Sequence, residues 1–212
     1  MRFWRFVCNP YEENTYLVAS GNEAWVIDPG FYTHTERQKF LEVLEAEGLR
    51  LAAIYLTHAH IDHILGVRWV VDRFGVPLYY HEAEAVVYRH AAQWAGMMGL
   101  EYEAGPEATA YVGAGELWWG EMRVQVLEVP GHSPGSVAYY FPQAKKVVSG
   151  DVLFAGGIGN YHLPLADYKT LMRSIVGRLI PLGDAVEVWP GHGPTTTIGA
   201  EKVSNPFLQD AI

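Results

Sequence analysis

Three of the nine histidines fall, with one aspartate, inside the six residues His58-Ala59-His60-Ile61-Asp62-His63, directly after the apolar run Leu51 to Leu56. On the extended exit of a strand His58 and His60 alternate, and Asp62 and His63 open the following turn, so four metal-capable side chains can converge. Three later stretches repeat the arrangement, an apolar β-like run ending on a ligand type: Leu127 to His132, Val147 to Asp151 and Val188 to His192. Alone, each is an ordinary turn. Together they bring the inventory to five imidazoles and two carboxylates, the ligand set of two neighbouring divalent ions. His58, His60 and His132 could hold one ion and Asp62, His63 and His192 the other, with Asp151 as the bridge. Zinc suits such a nitrogen-rich set best, with iron or manganese as alternatives. The chemistry on offer is hydrolysis, because such a site can lower the pKa of a water from ~15.7 to near 7 without a Ser or Cys nucleophile. Asp62 and Asp151 are the carboxylates placed to take part. Neither a G-x-S-x-G elbow nor a Walker A loop is present, which removes the acyl-serine and phosphate-loop alternatives.

The elements that must position these residues read as follows. Phe3 to Val7, Thr15 to Ala19 and Ala24 to Ile27 are short β-favouring runs separated by turn chemistry, an antiparallel meander ending at Asp28-Pro29-Gly30. Thr35 to Glu47 has helical spacing with Gly48 as its stop. Leu51 to Leu56 is a buried strand carrying the histidine motif at its carboxyl end, and Ile64 to Phe74 a helix stopped by Gly75. A strand over Pro77 to Tyr80 and a helix over Glu82 to Trp94 come next. The stretch Trp94 to Gly105, with Gly96, Gly99 and two methionines, reads equally as a lid or as ordinary packing. Strands return at Glu116 to Trp119, Arg123 to Val129, Val137 to Phe141, Val147 to Val148 and Val186 to Trp189, with helices over Asp167 to Ile180 and Gly199 to Ser204. Strands and helices in two successive sets predict an α/β fold, a four-layer α/β/β/α sandwich of two mixed sheets flanked by helices.

Composition sets the class. Half the residues are hydrophobic and 18% charged, so the 212-residue chain can bury a sizeable core as one domain over 1–212. The 15 basic against 24 acidic residues, a net charge of −9 with no basic run, argue against a nucleic-acid partner and leave a small molecule as the substrate. Cys8 is the single cysteine, which excludes an internal disulfide and a Cys-built zinc site; it reads as core filler. No apolar stretch is long enough for a membrane span, and the N-terminus lacks a signal-peptide pattern, so the expectation is a cytoplasmic protein without a membrane partner. Composition does not set the oligomeric state.

The motifs Val26-Ile27-Asp28-Pro29-Gly30, Thr57 to His63, Gly131-His132-Ser133-Pro134-Gly135-Ser136, Ser149-Gly150-Asp151-Val152-Leu153-Phe154 and Pro190-Gly191-His192-Gly193-Pro194, taken as a set, resemble the metallo-β-lactamase-fold hydrolases, specifically their short, single-domain glyoxalase II-like branch. The resemblance implies the same two-site ligand assignment. It also implies that Asp28 orients a ligand imidazole from behind, where the residues alone read equally as a turn former before Pro29. The departures concern substrate. Glyoxalase II proper has a C-terminal helical region with basic groups for glutathione; the present chain ends soon after its last ligand motif, and no separate substrate domain is expected. In the loop after Asp151, where that enzyme has a lysine and an aromatic residue, the chain has Gly159-Asn160-Tyr161-His162, and a tyrosine after the last histidine is replaced by Gly193-Pro194. Asn160, Tyr161 and His162 are the candidate substrate contacts, His162 reading also as a plain loop residue.

The leading expectation is therefore a dinuclear metallohydrolase cleaving a thioester, with lactones and related esters next. A mononuclear iron oxidoreductase of the persulfide dioxygenase kind is one alternative, since it shares much of this ligand set. A non-catalytic metal-binding module is another, though seven candidate ligands for two ions leave room for water. His34, His81 and His90 read as surface or helix-flank residues, and the pairs Tyr79-Tyr80 and Trp118-Trp119 as half-buried strand positions.

Overall fold

The computed structural model describes residues 1–120 and 122–209. The chain divides into two compact units, Met1–Val112 and Gly113–Ile212, each built on one six-stranded mixed sheet.

In the first unit the sheet order follows the chain, β1 to β6. The antiparallel strands β1 (Arg2–Cys8), β2 (Glu13–Ser20) and β3 (Glu23–Ile27) are joined by tight turns. The next three strands, β4 (Arg50–Tyr55), β5 (Leu78–Tyr80) and β6 (Ala110–Tyr111), each add in parallel. Parallel pairing requires a crossover between strands, and helix α1 (His34–Ala46) supplies the first. Its start is a capping box: Glu36 N donates to Thr33 Oγ1, and Glu36 Oε2 accepts from Thr33 N. Its apolar face brings Phe40 against Phe31 and Trp69, edge-on or tilted at 4.8–6.2 Å between ring centres, contacts of about 0.5–1.5 kcal/mol each beyond burial.

The helix expected from Ile64 to Phe74 begins later, as α3 (Val67–Phe74), and is preceded by a separate single turn, α2 (Ile61–Ile64). The break falls at Gly66, whose N–H donates to Pro29 O at 2.8 Å and whose absent Cβ would stand 2.8–2.9 Å from Pro29 O and Phe31. The helix ends there because the loop after β3 passes too close for any side chain. The helix expected over Glu82 to Trp94 begins with a 3₁₀ turn, Glu82–Glu84, and continues as α4 from Ala85 to Met98. Met97 and Met98 thus belong to its last turn, which Gly99 closes with φ +69°.

In the second unit the sheet order is β14-β13-β10-β9-β8-β7. It comprises β7 (Gly115–Trp119), β8 (Met122–Glu128), β9 (Val137–Phe141), β10 (Lys146–Gly150), β13 (Glu187–Pro190) and β14 (Thr196–Thr197). A two-stranded ribbon, β11 (Leu153–Phe154) with β12 (Gly157–Ile158), follows β10; strands this short carry no sequence signal, and neither they nor β6 and β14 were anticipated. The helix expected from Asp167 begins one residue later. Asp167 is its N-cap, accepting from Thr170 N at 2.8 Å, and α5 (Tyr168–Ser174) then runs into wider and tighter helical turns up to Leu182. The terminal helix is α6 (Ile198–Ser204). Leu171, Ile175, Leu179, Val188 and Ile198 lie in the core of this unit. Among the described residues no helix is long and apolar enough to cross a membrane.

Candidate metal centre

In the first unit the site grows from the carboxyl ends of two adjacent parallel strands, where ligand loops usually gather in sheets of this kind. Ile27 of β3 pairs with Tyr55 of β4, so Asp28 and Thr57 leave the sheet side by side. Asp28 stands at φ +51°, a region costing a non-glycine residue of order 1 kcal/mol. Its side chain outweighs that cost. Asp28 Oδ1 accepts from Thr57 N at 2.6 Å, and Oδ2 accepts from Thr57 Oγ1 at 2.6 Å and from His63 Nδ1 at 3.0 Å. Bonds to a charged acceptor contribute about 1.5–3 kcal/mol each.

Asp28 is buried, as are His58 and His63, and its contacts set the tautomers. Thr57 gives its hydroxyl proton to Asp28, so the remaining contact of that oxygen, 3.0 Å from His58 Nδ1, requires His58 to donate. His63 Nδ1 donates to Asp28 directly. Both rings therefore keep their lone pair on Nε2, the arrangement a metal-ligating imidazole requires. The His58 ring centre lies 4.1 Å from that of His63 and 4.8 Å from that of His60. One ligand atom each from Asp28, His58 and His63 fall within 4.8 Å of one another. Asp62 Oδ2 stands 3.6 Å from His63 Nε2.

In the second unit β10 and β13 are parallel neighbours, Gly150 opposite Pro190, with Gly191 N donating to Gly150 O at 3.0 Å. Asp151 and His192 consequently leave the sheet together. Asp151 Oδ2 lies 3.5 Å from His192 Nε2 and 3.5 Å from His132 Nε2. His132 Nδ1 donates to the Asn160 carbonyl at 2.9 Å, which again leaves Nε2 as the basic nitrogen. The fit is close: at Gly159 a Cβ would stand 1.9 Å from Asp151 O and 3.1 Å from the His132 Cβ. The His132 loop is tied down by Ser174 Oγ donating to Pro130 O at 2.6 Å and Asp167 N donating to Gly131 O at 2.7 Å. These donor sets fit divalent ions: Nδ1 is anchored in His58, His63 and His132, and the Nε2 atoms of His63, His132 and His192 lie 3.5–3.6 Å from a carboxylate oxygen.

Of the candidate substrate residues, Asn160 holds His132 through its backbone and accepts from His162 N through its side chain at 2.9 Å. The Tyr161 and His162 rings lie 4.3 Å apart, and Tyr161 also meets Tyr168 edge-on at 4.9 Å.

Three residues beside the candidate ligands carried no recognisable sequence signal. Glu13 is buried with Oε1 3.8 Å from His63 Nδ1; burial pushes its carboxyl well above the usual range, His63 opposing and Asp28 adding to the effect. Asn9 Nδ2 donates to Asp62 O at 2.9 Å and to Gly30 O at 3.0 Å. Glu84, buried, accepts from Ala59 N at 2.8 Å. Each lies far in sequence from what it holds. The three histidines without partner motifs stay apart: His34 opens α1, His81 caps the 3₁₀ turn by accepting from Ala83 N, and His90 bonds Val86 O on the outside of α4.

This arrangement of strand exits, histidines and aspartates defines a metallohydrolase fold, and the sequence agrees: the model of the Metallo-beta-lactamase superfamily matches residues 8–192, and the chain belongs to that superfamily. Among its relatives, the probable metallo-hydrolase YqgX of Bacillus subtilis (strain 168) is 39% identical over 210 residues, 98% of either chain. Hydroxyacylglutathione hydrolase GloC of Haemophilus influenzae is 32% identical over 209 residues, 93% of either chain. The crystal structure of TTHA1623 in a di-iron-bound form matches with a TM-score of 0.88 at 40% identity, covering 97% of this chain and all of that one.

Proposed function

We propose that this metallohydrolase is a dinuclear enzyme that cleaves a thioester, with lactones and related esters as secondary substrates. His58, His60 and His132 would hold one ion, Asp62, His63 and His192 the second, and Asp151 would bridge them. Zinc is the expected metal, and the di-iron form of TTHA1623 makes iron the first alternative. Such ions, when bound, acidify a water and stabilise the oxyanion that develops at a carbonyl under attack.

The observation that carries this reading is the anchoring of Nδ1 in His58, His63 and His132. Exposed histidines need no fixed tautomer, whereas ligands do. Asp28 keeps two imidazoles in one tautomer through a single carboxylate, His63 directly and His58 through Thr57. Asn160 does the same for His132 with a carbonyl. Asp62, partly exposed, is the carboxylate suited to take the proton of the attacking water. The thioester is favoured over other acyl groups by the likeness to GloC, whose name is that of a hydroxyacylglutathione hydrolase. The loop Asn160 to His162, without a lysine or arginine, favours a thiol moiety other than glutathione.

A panel of thioesters, lactones and a β-lactam tests this. Thioester turnover should exceed the rest, vanish with a chelator and return with Zn²⁺ or Fe²⁺, and the loaded protein should carry two ions per chain. Thioester cleavage that persists after complete metal removal would refute it, and one iron per chain with thiol-dependent oxygen uptake would replace it by the dioxygenase reading.

A further inference from the structure

As β4 leaves the sheet, its backbone groups alternate sides in the ordinary way. Ile54 N and Leu56 N donate towards β5, to Pro77 O at 2.9 Å and Tyr79 O at 2.9 Å. Tyr55 O accepts from Asp28 N at 3.0 Å and Thr57 N donates to Asp28 Oδ1 at 2.6 Å, both on the β3 side. A continuing strand would turn the Ala59 amide to the β3 side as well. Instead it donates to Glu84 Oε2 at 2.8 Å, from the 3₁₀ turn that follows β5. The Ala59 amide is thus drawn to the β5 side, away from the side a continuing strand would give it. Ala59 is the residue between His58 and His60, and Glu84 is fully buried, where an apolar side chain would be less costly unless the carboxylate has a task.

We propose that Glu84 is a positioning residue for the first ion: by drawing the Ala59 amide away from the β-sheet register, it sets the relative orientation of the His58 and His60 imidazoles, whose rings stand 4.8 Å apart at 84°. The inference rests on the two-ion reading above. Two buried carboxylates then act on the same exit from opposite sides, Asp28 on the Thr57 amide and Glu84 on the Ala59 amide. Asp28 fixes which nitrogen His58 presents, and Glu84 fixes where His58 and His60 present theirs.

The test compares Glu84→Gln, which keeps an acceptor oxygen at the same reach, with Glu84→Met, which keeps the volume and loses the acceptor. The readouts are Zn²⁺ affinity by competitive chelation, Co²⁺ absorption spectra, and amide hydrogen exchange at Ala59 in the metal-free protein. Glu84→Met should weaken one of two ions by ~10–100-fold, the usual range for an outer partner of a ligand, alter the Co²⁺ spectrum and expose the Ala59 amide to exchange. Glu84→Gln should restore all three to near wild type. If Glu84→Met does not fold, Glu84→Asp, which is one methylene too short to reach Ala59, should show the same loss. Equal loss in Glu84→Gln and Glu84→Met, or a deprotected Ala59 amide with both ion affinities unchanged, would overturn the proposal. Failure of the wild type to bind two ions would overturn the dinuclear reading instead, while the exchange experiment would still report on the Glu84 hydrogen bond.

Discussion

Asp28 bears more of the site than any residue beside it. Three donors converge on its carboxylate, two from Thr57 and one from His63, and through Thr57 it also governs His58. Replacing it by asparagine removes the charge and substitutes an amide N–H₂ for one acceptor, so at least one of the contacts becomes donor against donor. Asp28→Asn should therefore weaken metal binding by ~10–100-fold and reduce turnover at limiting metal, with much of the turnover recovered at saturating metal. Isothermal titration beside a metal-dependent activity curve checks both halves. A variant with unaltered metal affinity would show that the imidazoles hold their tautomers without Asp28.

Strand ends place most of the candidate ligands, Asp62 and His63 of α2 excepted. In each unit a pair of parallel strands ends level, β3 with β4 and β10 with β13, and the residues just beyond are Asp28, the Thr57 to His60 run, Asp151 and His192. The β10–β13 pair has an electrostatic clamp at its far end: Lys146 pairs with Glu187, and Trp189 Nε1 donates to the same carboxylate at 3.1 Å. The Lys146 contact, with Trp189 second, holds the Glu187 carboxyl below its ordinary value of 4.5. A lowered folded-state pKa contributes stability that is present above the unfolded value and lost as pH falls through the folded one. Glu187→Gln should thus lower the melting temperature slightly at neutral pH and converge with wild type as pH drops below about 4.5, read from thermal melts across the acid range. The effect is small because both side chains are partly exposed; an unchanged difference down to strongly acid pH would remove the ion pair as its cause.

For the molecule as a whole, ions bound only by the folded chain stabilise it by mass action, ~2.7 kcal/mol at a ligand concentration 100 times the dissociation constant. Added Zn²⁺ should raise the melting temperature, progressively with concentration, and a chelator should lower it. A melting temperature indifferent to metal would mean that the folded chain binds the ion no better than the unfolded one. With 24 acidic against 15 basic residues, the surface also favours cation approach.

The histidine motif, the three later turns bearing His132, Asp151 and His192, and most strands and helices could be read directly from the residues, because each is written in local spacing: alternation for strands, i to i+4 recurrence for helices, candidate ligand types at strand ends. What local spacing does not encode is who stands next to whom across a sheet. Gly66 breaks a helix because Pro29 passes beneath it, a fact with no trace in the run from Ile61 to Phe74. Asn160, a candidate substrate contact from its place in the loop, also steadies His132 through its carbonyl. Glu13 and Glu84 lie in no motif, yet Glu13 Oε1 stands 3.8 Å from His63 Nδ1 and Glu84 reaches the Ala59 amide from the turn after β5. The candidate ligand types follow from the chain alone, since coordination chemistry selects them. Their tautomers and orientations are tertiary properties, because the groups that impose them arrive from neighbouring strands.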